Sequence, residues 1–150
     1  IVAPGITLNV LPLKNMMKKT HVAIGVLATS CLIIYTDLPR IPLICGIIGS
    51  TMPDLDFTLG IPHRTWTHSL IGMLVVVLVC SIINPVFGLS VCANYSTHII
   101  ADSMTKMGVP ILYPVDKNYY GYRLFRTGKS EDMFICLIVI FILSEMFMKI

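Results

Sequence analysis

The chain has 150 residues, 55% of them hydrophobic and 13% charged, with a net charge of +3 and a mean hydropathy of +0.82. Soluble domains carry about 25% charged residues, so this composition excludes an ordinary water-soluble domain and a charge-rich nucleic-acid binder, and it points to a bilayer. The five cysteines (Cys31, Cys45, Cys80, Cys92, Cys136) each lie in an apolar run with no CxxC pair, which excludes a disulfide framework and leaves them as small packing hydrophobes.

Residues 1–15, "IVAPGITLNVLPLKN", carry Pro4, Gly5 and Pro12, lack helical periodicity and precede a double methionine. They read as an extension ahead of one membrane-embedded domain spanning 16–150. "MMKKTHVAIGVLATSCLIIYT" has the basic start and apolar middle of a signal peptide. No small-x-small cleavage site appears and more apolar segments follow, so it is read as the first helix.

Five apolar segments follow in order: Val22 to Tyr35, 41–52, Ser69 to Ile83, Phe87 to Met104, and 133–148. Irregular backbone facing lipid would leave polar groups unpaired, so all five are expected as transmembrane or membrane-embedded helices. The fold class is an all-α integral membrane bundle. Between the last two helices runs a polar loop whose "NYYGYRLF" (118–125) reads as an interfacial aromatic belt, with Trp66 in the same role.

Threading the bilayer from the side of Lys18 and Lys19, the second helix returns Asp54 and Asp56 to that side. His63 and His68 follow in the next loop and helix start, and the fourth helix brings back His98 and Asp102. All four histidines therefore converge on one face. Nine of the eleven lysines and arginines fall there too, which makes that face cytoplasmic by the positive-inside rule.

The same threading exposes an internal echo. "THVAIG" (20–25) and "THSLIG" (67–72) both open helices, and each histidine is followed by an aspartate 33 or 34 residues on, Asp54 and Asp102. The chain reads as two His-to-Asp helical hairpins, a repeat of the kind that builds a site at its interface. Thr20 and Thr67 are expected as N-caps, with each histidine held neutral by the positive end of its helix, the form a metal needs.

"HIIAD" sets His98 and Asp102 on one helix face, while "HRTWTH" suits a loop running into a helix start. His21, Asp54, Asp56, His63, His68, His98 and Asp102 are the candidate ligands. Imidazole and carboxylate together suit Zn²⁺, with Mn²⁺ or Fe²⁺ as alternatives, and seven candidates leave room for one or two ions. Asp56 is an alternative as a carboxylate that orients a histidine or acts as general base. Arg64 and Arg126 are the candidates for gripping an anion, the latter in "FRTGKSED" with the backbone around Gly128 and with Lys129 nearby. Ordinary membrane anchoring to anionic lipid is the competing reading of these cations.

"KKTHVAIG", "GSTMPDLDF", "HRTWTHSL" and "STHIIADSMTKMGVPILYPV" together resemble the LexA-binding, inner-membrane-associated metal-dependent hydrolase family, the YdjM-like proteins. The similarity spans about Met17 to Pro114, with a weaker echo at Arg126 to Glu131. The family's usual histidine after the second aspartate of "PDLDH" is Phe57 here, so that position contributes no ligand. The resemblance implies a multi-pass inner-membrane protein with a metal-dependent hydrolase site. It also implies phosphoester chemistry, because such proteins resemble zinc phospholipases C in their His-x3-Asp ligation. The expected activity is hydrolysis of a phosphoester or lipid-linked phosphate at the cytoplasmic membrane face, through metal-activated water. The alternative is a non-catalytic metal-binding protein that senses metal or docks a cytoplasmic repressor-type partner.

Overall fold

A computed structural model describes residues 14–36, 43–60, 62–124, 126 and 130–148. Residues 1–13 of the expected extension, Arg40, Gly128, Lys129, Lys149 and the side chain of Phe57 lie outside the described residues. Helices α1 (Lys14–Tyr35), α2 (Leu43–Thr51), α4 (Leu70–Ile83), α5 (Pro85–Ser103) and α6 (Ser130–Phe147) match the five apolar segments in place and order. A one-turn α3 (Asp56–Leu59) sits among short 3₁₀ turns at Met52–Leu55 and Trp66–His68. No strand forms among the described residues; a single antiparallel bridge joins Val109 and Tyr120.

Local chemistry sets the breaks. Ser69 caps α4 by accepting the Gly72 N–H at 3.0 Å. Asn84 ends α4 and caps α5, accepting the Val86 and Phe87 N–H groups, with Pro85 in the first turn where its missing N–H costs nothing. The PDLD segment follows α2 as a 3₁₀ turn and then α3, which ends on Gly60 in the left-handed region (φ +69°).

Two antiparallel hairpins form the body. A Cβ on Gly25 would meet Ser50, and one on Gly46 would meet the Thr29 hydroxyl and the Gly25 carbonyl, so α1 and α2 pack with their backbones close. Such approach through small residues is how membrane helices associate. In the second hairpin, Ser96 of α5 reaches Met73 of α4, and Gly88 abuts Ser81. Helix α5 packs against α1, α2 and α4, while α6 packs on α1, where the Thr20 hydroxyl donates to the Asp132 carboxylate.

Burial is inverted relative to a soluble protein. Thr29, Ser50, Ser90, Asn94, His68, His98 and Asp102 are all essentially inaccessible, and buried polar side chains outnumber buried apolar ones. Outside stand Leu74, Val75, Leu78, Val79, Ile82 and Ile83 of α4, and Phe134, Leu137, Ile140 and Phe141 of α6. The apolar core is small, built on Val91, Tyr95 and Ile99 of α5 with Cys80 and Val109.

No helix among the described residues is long and apolar enough to cross a membrane. The sequence leads one to expect five spans, and the shortfall has local causes. Helix α4 has 14 residues before Asn84-Pro85 stops it, about 21 Å at 1.5 Å per residue. Helix α2 has nine. Helix α5 spends its length on Ser90, Asn94, Ser96, Thr97, His98 and Asp102, and α6 carries Glu131, Asp132 and Glu145.

Candidate metal centre

The hairpins deliver their polar ends to one place. His21 comes from α1, Asp54 and Asp56 from the turn after α2, His63 and His68 from the segment before α4, and His98 and Asp102 from the end of α5. Ligand atoms of His21, His98 and Asp102 lie within 4.8 Å of one another, as do those of Asp54, His63 and His68. The two triads touch. His68 Nε2 is 3.1 Å from Asp102 Oδ2 and 3.3 Å from His98 Nε2, and Asp54 Oδ1 is 4.0 Å from His68 Nε2 and 3.9 Å from His98 Nε2.

The surrounding hydrogen bonds fix which ring nitrogens are available. The Ser50 carbonyl can only accept, so His98 Nδ1–H donates to it at 2.6 Å. His63 Nδ1–H donates to the Asp56 carboxylate at 3.0 Å. The Thr67 hydroxyl donates to Asp56 at 3.0 Å, which leaves its oxygen to accept from His68 Nδ1–H, also at 3.0 Å. In their neutral form His68 and His98 thus present Nε2 as an acceptor, the arrangement that outer hydrogen bonds impose on metal-ligating histidines, and His63 shares the Nδ1 anchoring. The Nε2 atoms of His68 and His98 then face each other and Asp102 Oδ2, a buried carboxylate oxygen with no hydrogen bond of its own. Lone pairs and negative charge converging in a buried space are mutually repulsive unless a proton or a metal cation lies among them. The donor set fits a divalent ion.

Asp56 belongs to neither triad. It is fully buried and receives His63, the Thr67 hydroxyl and the Arg64 backbone N–H at 3.1 Å, which suits its alternative reading as an orienting carboxylate. Arg64 is also buried. Its guanidinium donates to Asp102 Oδ1 at 2.8 Å, to Thr105 Oγ1 at 2.8 Å and to the Gly108 carbonyl at 3.0 Å. Its backbone is left-handed (φ +56°), a conformation that non-glycine residues adopt at a cost. That turn lets the N–H reach Asp56 while the side chain reaches Asp102, and the Tyr119 hydroxyl ties down its carbonyl at 3.0 Å. Arg126 is exposed and joins no hydrogen bond or ion pair among the described residues.

Two expectations about the threonines are corrected. Helix α1 begins at Lys14, so Thr20 and His21 lie in its second turn, and Thr20 bonds across to α6 rather than capping. Thr67 lies in a 3₁₀ turn and serves Asp56, while Ser69 is the cap of α4. The His-to-Asp echo is also crossed in space: His21 of the first hairpin meets Asp102 of the second at 3.3 Å, stacking on His98 with ring centres 3.9 Å apart. Sequence reading gave Thr67 only a capping role and Tyr119 only a place in the aromatic belt, and it passed over Thr105; the hydroxyls of all three position the site.

At the rim, protonation favours a ligand role for His63 and opposes one for Asp54. Burial pushes the His63 imidazole below its ordinary pKa against the opposing pull of Asp56, so the neutral ring prevails at pH 7. Burial raises the Asp54 pKa above its ordinary value, with His21 opposing, a shift toward the neutral acid that a bound cation would reverse. At this rim the site is half open: Asp54 and His63 are 11% and 26% exposed, against 0% for His68.

An all-helical bundle with polar groups inward, apolar groups outward and a buried His–Asp cluster at one end is the architecture of a membrane-type protein with a candidate metal-ligating cluster. The sequence profile of the YdjM inner membrane protein family matches residues 16–149, and the chain belongs to that family. It is also 26% identical over 118 residues to the uncharacterized protein YvsG of Bacillus subtilis (strain 168), covering 66% of this chain and 74% of that one. No solved structure matches.

Proposed function

We propose that the chain is a multi-pass membrane-embedded hydrolase that holds one or two divalent ions, Zn²⁺ first among them, and cleaves a phosphoester at the cytoplasmic membrane face. The observation that carries this reading is the convergence of the His68 and His98 Nε2 atoms on Asp54 and Asp102, with His63 grouped beside Asp54 and His68 and His21 beside Asp102. His21, His98 and Asp102 would hold an inner ion, and Asp54, His63 and His68 an outer one. A bound divalent ion supplies Lewis acidity and an activated water at neutral pH. The chain's own residues do the rest: Asp56 fixes the tautomers of His63 and His68, and Arg64 holds Asp102 in place and balances its charge. Arg126, exposed beside the start of α6, is available to meet an anionic substrate.

Embedding in the bilayer is supported by family membership and by the apolar outer faces of α4 and α6. Helices this short would be accommodated by local bilayer thinning and by flanking residues reaching to the interface. The cytoplasmic placement of the cluster rests on the basic residues that share its side.

A non-catalytic metal-binding role, with sensing or docking of a cytoplasmic partner as its output, is favoured by one observation. His21, His68, His98 and Asp102 are each at most 4% exposed, so an inner ion would be out of substrate's reach. A phosphoester panel assayed on metal-loaded protein, with and without chelator, separates the two. Chelator-sensitive turnover supports the hydrolase; bound metal without turnover of any ester supports the sensor.

A further inference from the structure

Exposed apolar side chains flank the accessible Asp54 and His63 along the chain. Leu55, next to Asp54, is 46% exposed; Leu59 of α3 is 67% exposed; Trp66, between Arg64 and His68, is 47% exposed. Leu70 and Ile71 continue this series into the outward apolar face of α4. The stretch from Met52 to Ile71 contains one basic residue, Arg64, and its guanidinium is turned inward to Asp102. A small water-soluble phosphate would gain nothing from the hydrocarbon of this stretch. An amphiphile would meet both of its needs, with its chain on Leu55, Leu59 and Trp66 and its head at Asp54 and His63.

We infer that the site takes a single-headed amphiphile, an alkyl-chain phosphate, whose hydrocarbon lies across Leu55, Leu59 and Trp66 while its phosphate enters at Asp54 and His63. The inference rests on the metal-site reading above and names its substrate class. Burying hydrocarbon is worth about 0.8 kcal/mol per methylene, so contact over a few methylenes separates long-chain from short-chain phosphates. Trp66 is the sole tryptophan and reports on the surface directly.

The test uses zinc-loaded full-length protein in nanodiscs. Trp66 emission is followed on adding 12-bromododecyl phosphate, and on adding 12-bromododecanol at equal membrane partition. Preferential quenching by the phosphate, abolished in the His68→Ala/Asp102→Ala variant, is the expected result; equal quenching by the two overturns the proposal. In parallel, dodecyl phosphate and ethyl phosphate are compared as ligands of wild type and of Leu55→Gln/Leu59→Gln. The variant should keep its metal and lose about tenfold in preference for the long chain, the equivalent of two methylenes; an unchanged preference overturns the proposal. Head-dependent quenching without turnover sinks the hydrolase reading and leaves the amphiphile site standing. Turnover of both esters at equal rates does the reverse.

Discussion

Asp56 and Arg64 govern the site without belonging to either ligand triad. Asp56→Asn keeps the shape but turns an amide N–H₂ toward the His63 Nδ1–H. The expected outcome is a 10- to 100-fold loss of metal affinity, the usual scale of an outer hydrogen-bond partner, in a protein that still folds; metal titration against a competing chelator measures it. Arg64→Met leaves Asp102 buried without its ion pair and should cost about 3–5 kcal/mol in metal-free protein, read from denaturant unfolding. Arg64→Lys should not rescue it, because an ammonium cannot serve Asp102, Thr105 and Gly108 as the guanidinium fork does. His63 sets a pH dependence. Its folded pKa lies below the ordinary 6.5, so the unfolded chain takes up its proton first. Stability from this group is full above about pH 6.5 and declines as pH falls through that value, and His63→Gln should flatten that limb in unfolding curves of metal-free protein. The seven candidate ligands were legible because so few ionisable groups interrupt the apolar runs. The division of labour was not: that Asp54 faces the histidines and Asp56 backs them depends on a 3₁₀ turn, and neighbours two apart in sequence do not reveal it.

At the scale of elements, the apolar runs and their breaks place all five longer helices, since Asn84-Pro85 ends α4 and opens α5, and the proline of PDLD turns the end of α2 into a 3₁₀ turn. The threonine caps did not follow, because local propensity competes with tertiary partners, and Thr20 and Thr67 are drawn to Asp132 and Asp56. The contact between α1 and α2 is the hinge of the design. It carries Ser50, whose carbonyl orients His98, beside Gly25 and Gly46. Gly46→Ala would set a Cβ 2.5 Å from Thr29 Oγ1 and 2.7 Å from the Gly25 carbonyl. The helices must part, at a cost of about 1–3 kcal/mol for overpacking. Unfolding in mixed detergent should register that loss, together with weaker metal binding than in wild type. A variant with a Cβ at Gly60, where nothing lies within 4 Å, would differ only through its left-handed backbone.

For the whole molecule, the alternation of helices read from the sequence places all the histidines at one end, and the packed hairpins do the same with no reference to a bilayer. What the sequence could not convey is how much of the interior is polar. Thr29, Ser50, Ser90 and Asn94 sit in segments apolar enough to be read as spans, and they face inward, leaving the outer surface to hydrocarbon. Helix α6 starts beside Thr20 and leaves the cluster end, so a reporter fused downstream of it should lie on the external side; a cytoplasmic reporter would break the threading. The central claim is that the four histidines and Asp54 and Asp102 form a metal centre. Elemental analysis of protein purified without chelator tests it most directly, beside the His68→Ala/Asp102→Ala variant in the same detergent. Wild type should carry roughly one or two divalent ions per chain, the capacity of two three-residue ligand sets, and the variant next to none. Equal, near-zero metal in both preparations would contradict it.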